Sequence, residues 1–145
     1  MTAAPAPAPA QRSLRFRPHT DAPVTLGVDF ARQVLAEWHL LSPRHDRPPH
    51  LAEDTVLVVG ELLANASRHA DGPQSLVLTL RAERLRVAVV DHNPAPPRPR
   101  RADPAGAGGY GLHLLDRLTT AWGTACGTRG KTVWAELATT TADRR

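Results

Sequence analysis

Between His92 and Gly109 the chain carries five prolines and three glycines in eighteen residues, and neither a helix nor a strand can run through such a stretch. Proline lacks the backbone N–H that both structures need, and glycine gives no side chain to pack. The sequence on either side is strongly periodic, so the break interrupts one domain rather than joining two. A structureless segment of this length inside a compact domain usually serves as a functional loop or lid.

Two helices are expected before the break. Val24 to Leu40 places Val28, Ala31, Val34, Leu35 and Trp38 on one face. A second helix starts near His50 to Asp54 and runs to about Ala70, where Asp71-Gly72-Pro73 stops it. On it Val56, Val59, Leu63 and Ala66 form the expected apolar stripe, with Glu61 and Asn65 opposite and Leu57 and Val58 flanking them. A short strand over Ser13 to Arg17 precedes both helices. After them the period changes to two: Leu76, Leu78 and Leu80 form one strand face, and Leu85, Val87 and Val89 form the next. Ala82-Glu83-Arg84 joins the pair as an antiparallel hairpin. Beyond the break come a third helix, Tyr110 to about Thr120, and a closing hairpin of Trp122–Cys126 and Thr132–Leu137. The tryptophans Trp38, Trp122 and Trp134 fall on apolar positions and are expected in the core. This order gives an α+β two-layer sandwich, with a mainly antiparallel mixed sheet covered on one face by three helices. The domain is expected over 12–138, between a disordered Ala/Pro tail at 1–11 and a flexible tail at 139–145.

At 145 residues the chain is read as one domain, able to bury roughly two-thirds of its unfolded surface. No apolar run reaches the ~20 residues of a membrane span, and Met1 to Ala10 has no basic head or apolar core of a secretory signal. A cytoplasmic location is therefore expected, with no membrane association. A single cysteine, Cys126, excludes an internal disulfide and makes a cysteine metal site untenable. The formal charge of +4 invites a nucleic-acid reading, but its placement argues against one. Without residues 1–20, 92–108 and 140–145, ten basic and twelve acidic residues remain, a net of −2. No nucleic-acid partner is expected.

Four features carry potential chemistry. Glu61 and Asn65, four residues apart on a helix, place a carboxylate and an amide one turn apart, a pair suited to a proton acceptor beside a hydrated Mg²⁺. An ordinary polar helix face gives the same spacing. Asp91 ends the apolar row Leu85, Val87, Val89, where a buried carboxylate needs hydrogen-bond donors such as an adenine amino group. A turn cap is the plainer account. Gly106-Ala107-Gly108-Gly109-Tyr110-Gly111 opens a helix, as a phosphate-binding loop or as a simple hinge would. It lacks the βαβ setting of a dinucleotide fingerprint, and no Walker loop is present. Gly130-Lys131-Thr132 begins the last strand, where a hydroxyl and a close backbone approach could touch a ligand.

Taken in order, these segments resemble the boxes of the GHKL ATPases, the superfamily of gyrase, histidine kinases and mismatch-repair ATPases. Glu61-Leu-Leu-Ala-Asn65-Ala-Ser-Arg-His69-Ala is similar to the N-box, and Val89-Val90-Asp91-His92-Asn93-Pro94 to the G1 box. Gly108 to Leu115 resembles the G2 box, and Gly130 to Trp134 the terminal G3 segment. The likeness is greatest to single-domain anti-sigma-factor serine kinases and related small ATP-binding regulators, and it covers the chain after about Arg12. It departs from the pattern at His92-Asn93-Pro94, where glycines usually follow the aspartate, and in the proline- and arginine-rich lid.

The resemblance implies ATP and Mg²⁺ as cofactors. It implies Asn65 as the metal ligand, Glu61 as general base, Asp91 as acceptor of the adenine amino group and Thr132 near the adenine. His69, Asn93, Gly106, Gly108, Gly109, Tyr110, Gly111 and Leu112 are implied as further nucleotide-binding residues, with about Ala95 to Gly108 as the lid. It further implies a protein serine/threonine kinase acting as an anti-sigma factor, which phosphorylates an anti-sigma-factor antagonist in a partner switch. A sigma factor would be its other partner, and a homodimer through the sheet or first helix is possible. The alternative is a non-catalytic regulator that uses ATP only to order a protein-binding surface.

Overall fold

In the computed structural model the described residues are 8–68, 72–92, 110–128 and 130–141. The chain order is β1 (Ala10–Arg15), α1 (Pro23–Glu37), α2 (Leu51–Ser67), β2 (Pro73–Arg81), β3 (Arg84–Asp91), α3 (Tyr110–Leu118), β4 (Ala121–Gly127) and β5 (Gly130–Ala138). The five strands form one sheet in the order β1-β2-β3-β5-β4. Every pair among them is antiparallel, so the sheet has no parallel component among the described residues, a stricter arrangement than the expected mixed one. Both hairpins return the chain directly. Ala82 takes a left-handed φ of 50° in the β2–β3 turn, so Arg84 already pairs with Arg81 instead of belonging to the connector.

Strand alternation divides the sheet into two unlike faces. The inner face carries Leu76 and Leu78 from β2, Leu85, Val87 and Val89 from β3, and Val133, Ala135 and Leu137 from β5, all buried. All three helices cover this face. On α1, a Cβ added to Gly27 would lie 3.4 Å from Leu76 Cδ2. On α3, Asp116 accepts a 2.6 Å hydrogen bond from Trp122 Nε1, and Trp122 pairs with the inward Ala135. Between them α2 packs on β3 and β5 and touches both flanking helices. The outer face has no helix over it among the described residues. It carries Trp134 opposite Ala88 and Gly123, with the Arg86 guanidinium 4.4 Å from the Trp134 ring centroid. Trp134 is thus not a core residue, whereas Trp38 and Trp122 do pack against the core.

The helix ends follow local chemistry. Pro23 opens α1 with its φ already set for a helix. The helix stops at Glu37, short of the expected Leu40, because His39 turns left-handed with φ 57°. His39 N then donates to Ala36 O, and Leu40 N to Leu35 O, in a Schellman arrangement that tucks Leu40 into the core. On α2 the buried stripe is Leu51, Thr55, Val58, Val59, Leu62, Leu63 and Ala66. Val58 therefore belongs to the core stripe, while Leu57 is 50 % exposed. The buried Thr55 hydroxyl donates back to Leu51 O at 2.7 Å, as a polar group on a covered helix face must.

At both termini regular pairing reaches into segments that the composition marks as tails. β1 begins at Ala10, inside the stretch expected as disordered, because Ala10 and Gln11 pair with Leu80 and Thr79. At the other end Thr139 N donates to Glu83 O and Thr141 N to Asp46 O, both at 2.8 Å.

The α1–α2 contact is close because Gly27 has no side chain: a Cβ there would sit 2.1 Å from Leu63 Cδ1, and Leu63 is fully buried. Gly27→Ala should destabilise the domain by about 1–3 kcal/mol through overpacking. Gly60→Ala, on the same helix pair but with nothing within 4 Å of the new methyl, should stabilise it by about 0.5–1 kcal/mol. Urea unfolding of the two variants measures this opposition in sign.

Candidate functional site

The directions of α2, α3 and β3 bring their functional ends together. Leu51 and Asp54 at the start of α2, Arg84 at the start of β3, Leu118 at the end of α3 and Ala138 at the end of β5 line one cavity of about 350 Å³. Burial there holds the Asp54 carboxyl above its ordinary range; His50 pulls it back and Glu53 adds to the rise. With these ends together, the C-terminal half of α2, the end of β3 and the start of β5 lie toward the opposite end of the inner face. The lengths agree, since 17 helical residues and 8 strand residues each span about 25 Å.

Asp91 is at that second end. It continues the inward row of Leu85, Val87 and Val89 and is 1 % exposed. Directly across the β3–β5 ladder stands Lys131, also 1 % exposed, with its Nζ 3.8 Å from Asp91 Oδ2. Lys131 is the only lysine in the sequence. The distance is that of an ion pair rather than a well-formed hydrogen bond. Two charges removed from water this far stabilise one another in a low-dielectric interior. The strand start beside them has no room to spare. Gly130 has φ 140°, and a Cβ on it would lie 2.0 Å from Asp91 O. Only glycine lets β5 begin this close to the end of β3.

Glu61 and Asn65 are half-buried on α2. They do not lie opposite the core stripe. Glu61 is two residues from Leu63, about 200° of helical turn, and Leu63 is the residue that meets α1 at Gly27. The pair therefore occupies the flank away from α1, on the side where α3 packs, and Asn65 is one turn nearer the Asp91 end. Tyr110, Gly111 and Leu112 form the first turn of α3, which is only nine residues long, and the unpaired backbone N–H groups of a helix start favour an anion. Thr132 is not part of this grouping. It pairs with Val90 and shares the outer face with Trp134, because one residue along a strand reverses the side. His69, Asn93, Gly106, Gly108 and Gly109, with the whole of the expected lid, lie outside the described residues.

A buried carboxylate at the end of an apolar row, an acid–amide pair on the covering helix and the start of a further helix suit a nucleotide. The family model of the histidine kinase-like ATPase domain matches residues 24–137, most of the chain. The chain belongs to this family. It is an ATP-binding domain of the GHKL type, and its antiparallel sheet with three helices on one face is the expected sandwich. No curated protein matches it. Among the described residues no helix is long and apolar enough to cross a membrane, and no group of three or more His, Cys, Asp or Glu side chains is gathered to hold a metal.

Within Gly130-Lys131-Thr132 the residue on the covered face is Lys131, not Thr132. The motif drew attention to the hydroxyl of Thr132, yet alternation from Val133, an apolar strand residue, already assigns Lys131 to the covered face. Breaking the pair from one side should be costly: Lys131→Met is expected to destabilise the domain by about 3–5 kcal/mol. Adding Asp91→Leu to that variant should recover most of the loss, and a double-mutant cycle by urea unfolding measures the coupling.

Proposed function

We propose that this ATP-binding domain is a regulatory protein serine/threonine kinase that acts as an anti-sigma factor and phosphorylates an anti-sigma-factor antagonist in a partner switch. The observation that supports the reading is the buried Asp91 at the end of the inward row of β3, with the Glu61–Asn65 pair on α2, the helix that packs over that strand. Asp91 accepts a hydrogen bond from the adenine amino group. Asn65 offers a neutral oxygen suited to Mg²⁺, and the α3 start offers N–H groups to the phosphates. When bound, MgATP supplies the transferable phosphoryl group and neutralises charge around it. Glu61, one turn from Asn65, takes the proton of the attacking serine or threonine hydroxyl. His69, Asn93, Gly106, Gly108 and Gly109 are proposed to complete the nucleotide contacts, and the segment from about Ala95 to Gly108 to close over them.

The position of Glu61 favours transfer over a purely ATP-dependent binding role, since a module that only orders a partner surface needs no carboxylate there. The proposed setting is the cytoplasm, with a sigma factor as second partner. A homodimer through the outer sheet face or α1, where Leu26 is 47 % exposed, belongs to the same proposal.

Calorimetry with Mg²⁺ should give an ATP Kd on the order of micromolar, weakened at least about tenfold, or 1.4 kcal/mol, by Asn65→Ala and by Asp91→Asn. Glu61→Ala should keep ATP binding and lower phosphate transfer to the antagonist by about 10²- to 10⁴-fold. A folded wild-type protein that binds no ATP would sink the proposal, and undiminished transfer by Glu61→Ala would remove Glu61 as the base.

A further inference from the structure

The outer face of the sheet has no helix over it among the described residues, and its charge is mostly of one sign. Strand alternation places Arg15, Arg81, Arg84 and Arg86 on it against Glu136 alone, a net of +3. The three helices on the other side carry six carboxylates and two arginines. Three of the outer arginines are gathered at one end. Arg81 and Arg84 stand directly opposite one another across the β2–β3 ladder, and Arg86 is the next outward residue on β3. Like charges about 5 Å apart across a ladder repel, and an anion bound between them removes that cost. None of the three makes an ion pair among the described residues. Arg84 gives one N–H to the Thr120 hydroxyl at 3.3 Å and keeps its others.

Arg86 is also held in place. Its guanidinium lies 4.4 Å from the centre of the Trp134 ring. The indole in turn rests on Gly123, so closely that a Cβ there would be 2.9 Å from Trp134 Cζ2. An arginine stacked in this way has its plane fixed and its N–H donors at the rim, which suits a carboxylate gripped by two hydrogen bonds. Ala88, Ala121 and Gly123 beside it carry no long side chain, so another chain can lie close to the sheet.

We propose that this outer face, anchored on Arg86, docks an acidic segment of a partner protein, whose Asp and Glu carboxylates are held by Arg81, Arg84 and Arg86. The charge of the face is complementary to such a segment and opposed to a second copy of itself, since two faces of +3 would meet with like charges together. Homodimerisation is thereby left to α1. A single-stranded nucleic acid would match the charge, but the aromatic ring on which its bases would stack is already covered by Arg86.

The test is an NMR titration of the ¹⁵N-labelled full chain with an end-blocked octaglutamate peptide, and with a thymidine octanucleotide of similar charge. The peptide should move the indole N–H signal of Trp134 and leave those of Trp38 and Trp122 in place. Arg86→Gln should weaken the peptide at least about tenfold, and Arg86→Lys, which keeps the charge and loses the stacked fork, at least about threefold. Arg32→Gln on α1 should leave the affinity unchanged. Should the Arg86 variants fail to fold, the wild-type shifts still decide. A peptide that leaves the Trp134 signal unmoved overturns the proposal, as does an Arg86→Lys protein that binds like wild type. Tighter binding of the oligonucleotide at the same signal assigns the face to nucleic acid instead. A Trp134 signal that moves on dilution of the protein alone assigns it to a second copy, and either result overturns the proposal.

Discussion

The domain depends on the burial of α2 across the middle of the sheet. Seven residues of this helix are buried: Leu51, Thr55, Val58, Val59, Leu62, Leu63 and Ala66. They lie over β3 and β5, the two strands with the longest inward rows. Each large apolar side chain withdrawn from water there contributes about 1.5–3 kcal/mol before chain entropy is counted. The flanking helices take their places from this one. α1 comes close only because Gly27 leaves space for Leu63, and α3 fills the other side through Leu115. A sheet with one covered face has no other route to a core, since nothing described lies over its outer side.

The same helix supplies the site. Leu62 and Ala66 are in the core, and their immediate neighbours Glu61 and Asn65 are on the flank that faces α3. A 100° step per residue is all that separates structural from chemical duty, so the acid and the amide are held by a helix that cannot shift without disturbing the packing. Asp91 is carried in the same way, as the last residue of a strand whose preceding inward positions are all buried. Rigid elements thus carry the residues of the proposed nucleotide site.

Much of this was legible in the sequence. The 3.6 and 2.0 periods located both long helices and the four C-terminal strands, and the row ending in Asp91 was read with its side chain inward. What escaped was information that period alone does not hold. Alternation tells which strand residues share a face but not which face a helix will cover, so Trp134 was expected inside and lies outside against Arg86. The end of α1 is set by the left-handed turn at His39, a conformation that histidine gives little sign of adopting. The start of β1 was hidden because Ala10 and Gln11 are held by ladder hydrogen bonds to β2 rather than by any pattern of their own. Lys131 was missed because its partner is forty residues away, and only the strand register brings them opposite.

That register has a consequence for how the chain finds its fold. Apolar residues on β3 and β5 are nearly interchangeable, and Val, Ala and Leu rows tolerate slippage at modest cost. The pairing of Asp91 with Lys131 does not. A shift of β5 by one residue would turn Lys131 to the opposite face from Asp91, while a shift by two would pull the charges a full pleat apart. The pair therefore acts as a key for strand alignment, selecting one pairing from several that hydrophobicity alone would accept. At this end of the sheet the alignment of two strands is written in charge as well as in hydrophobic pattern.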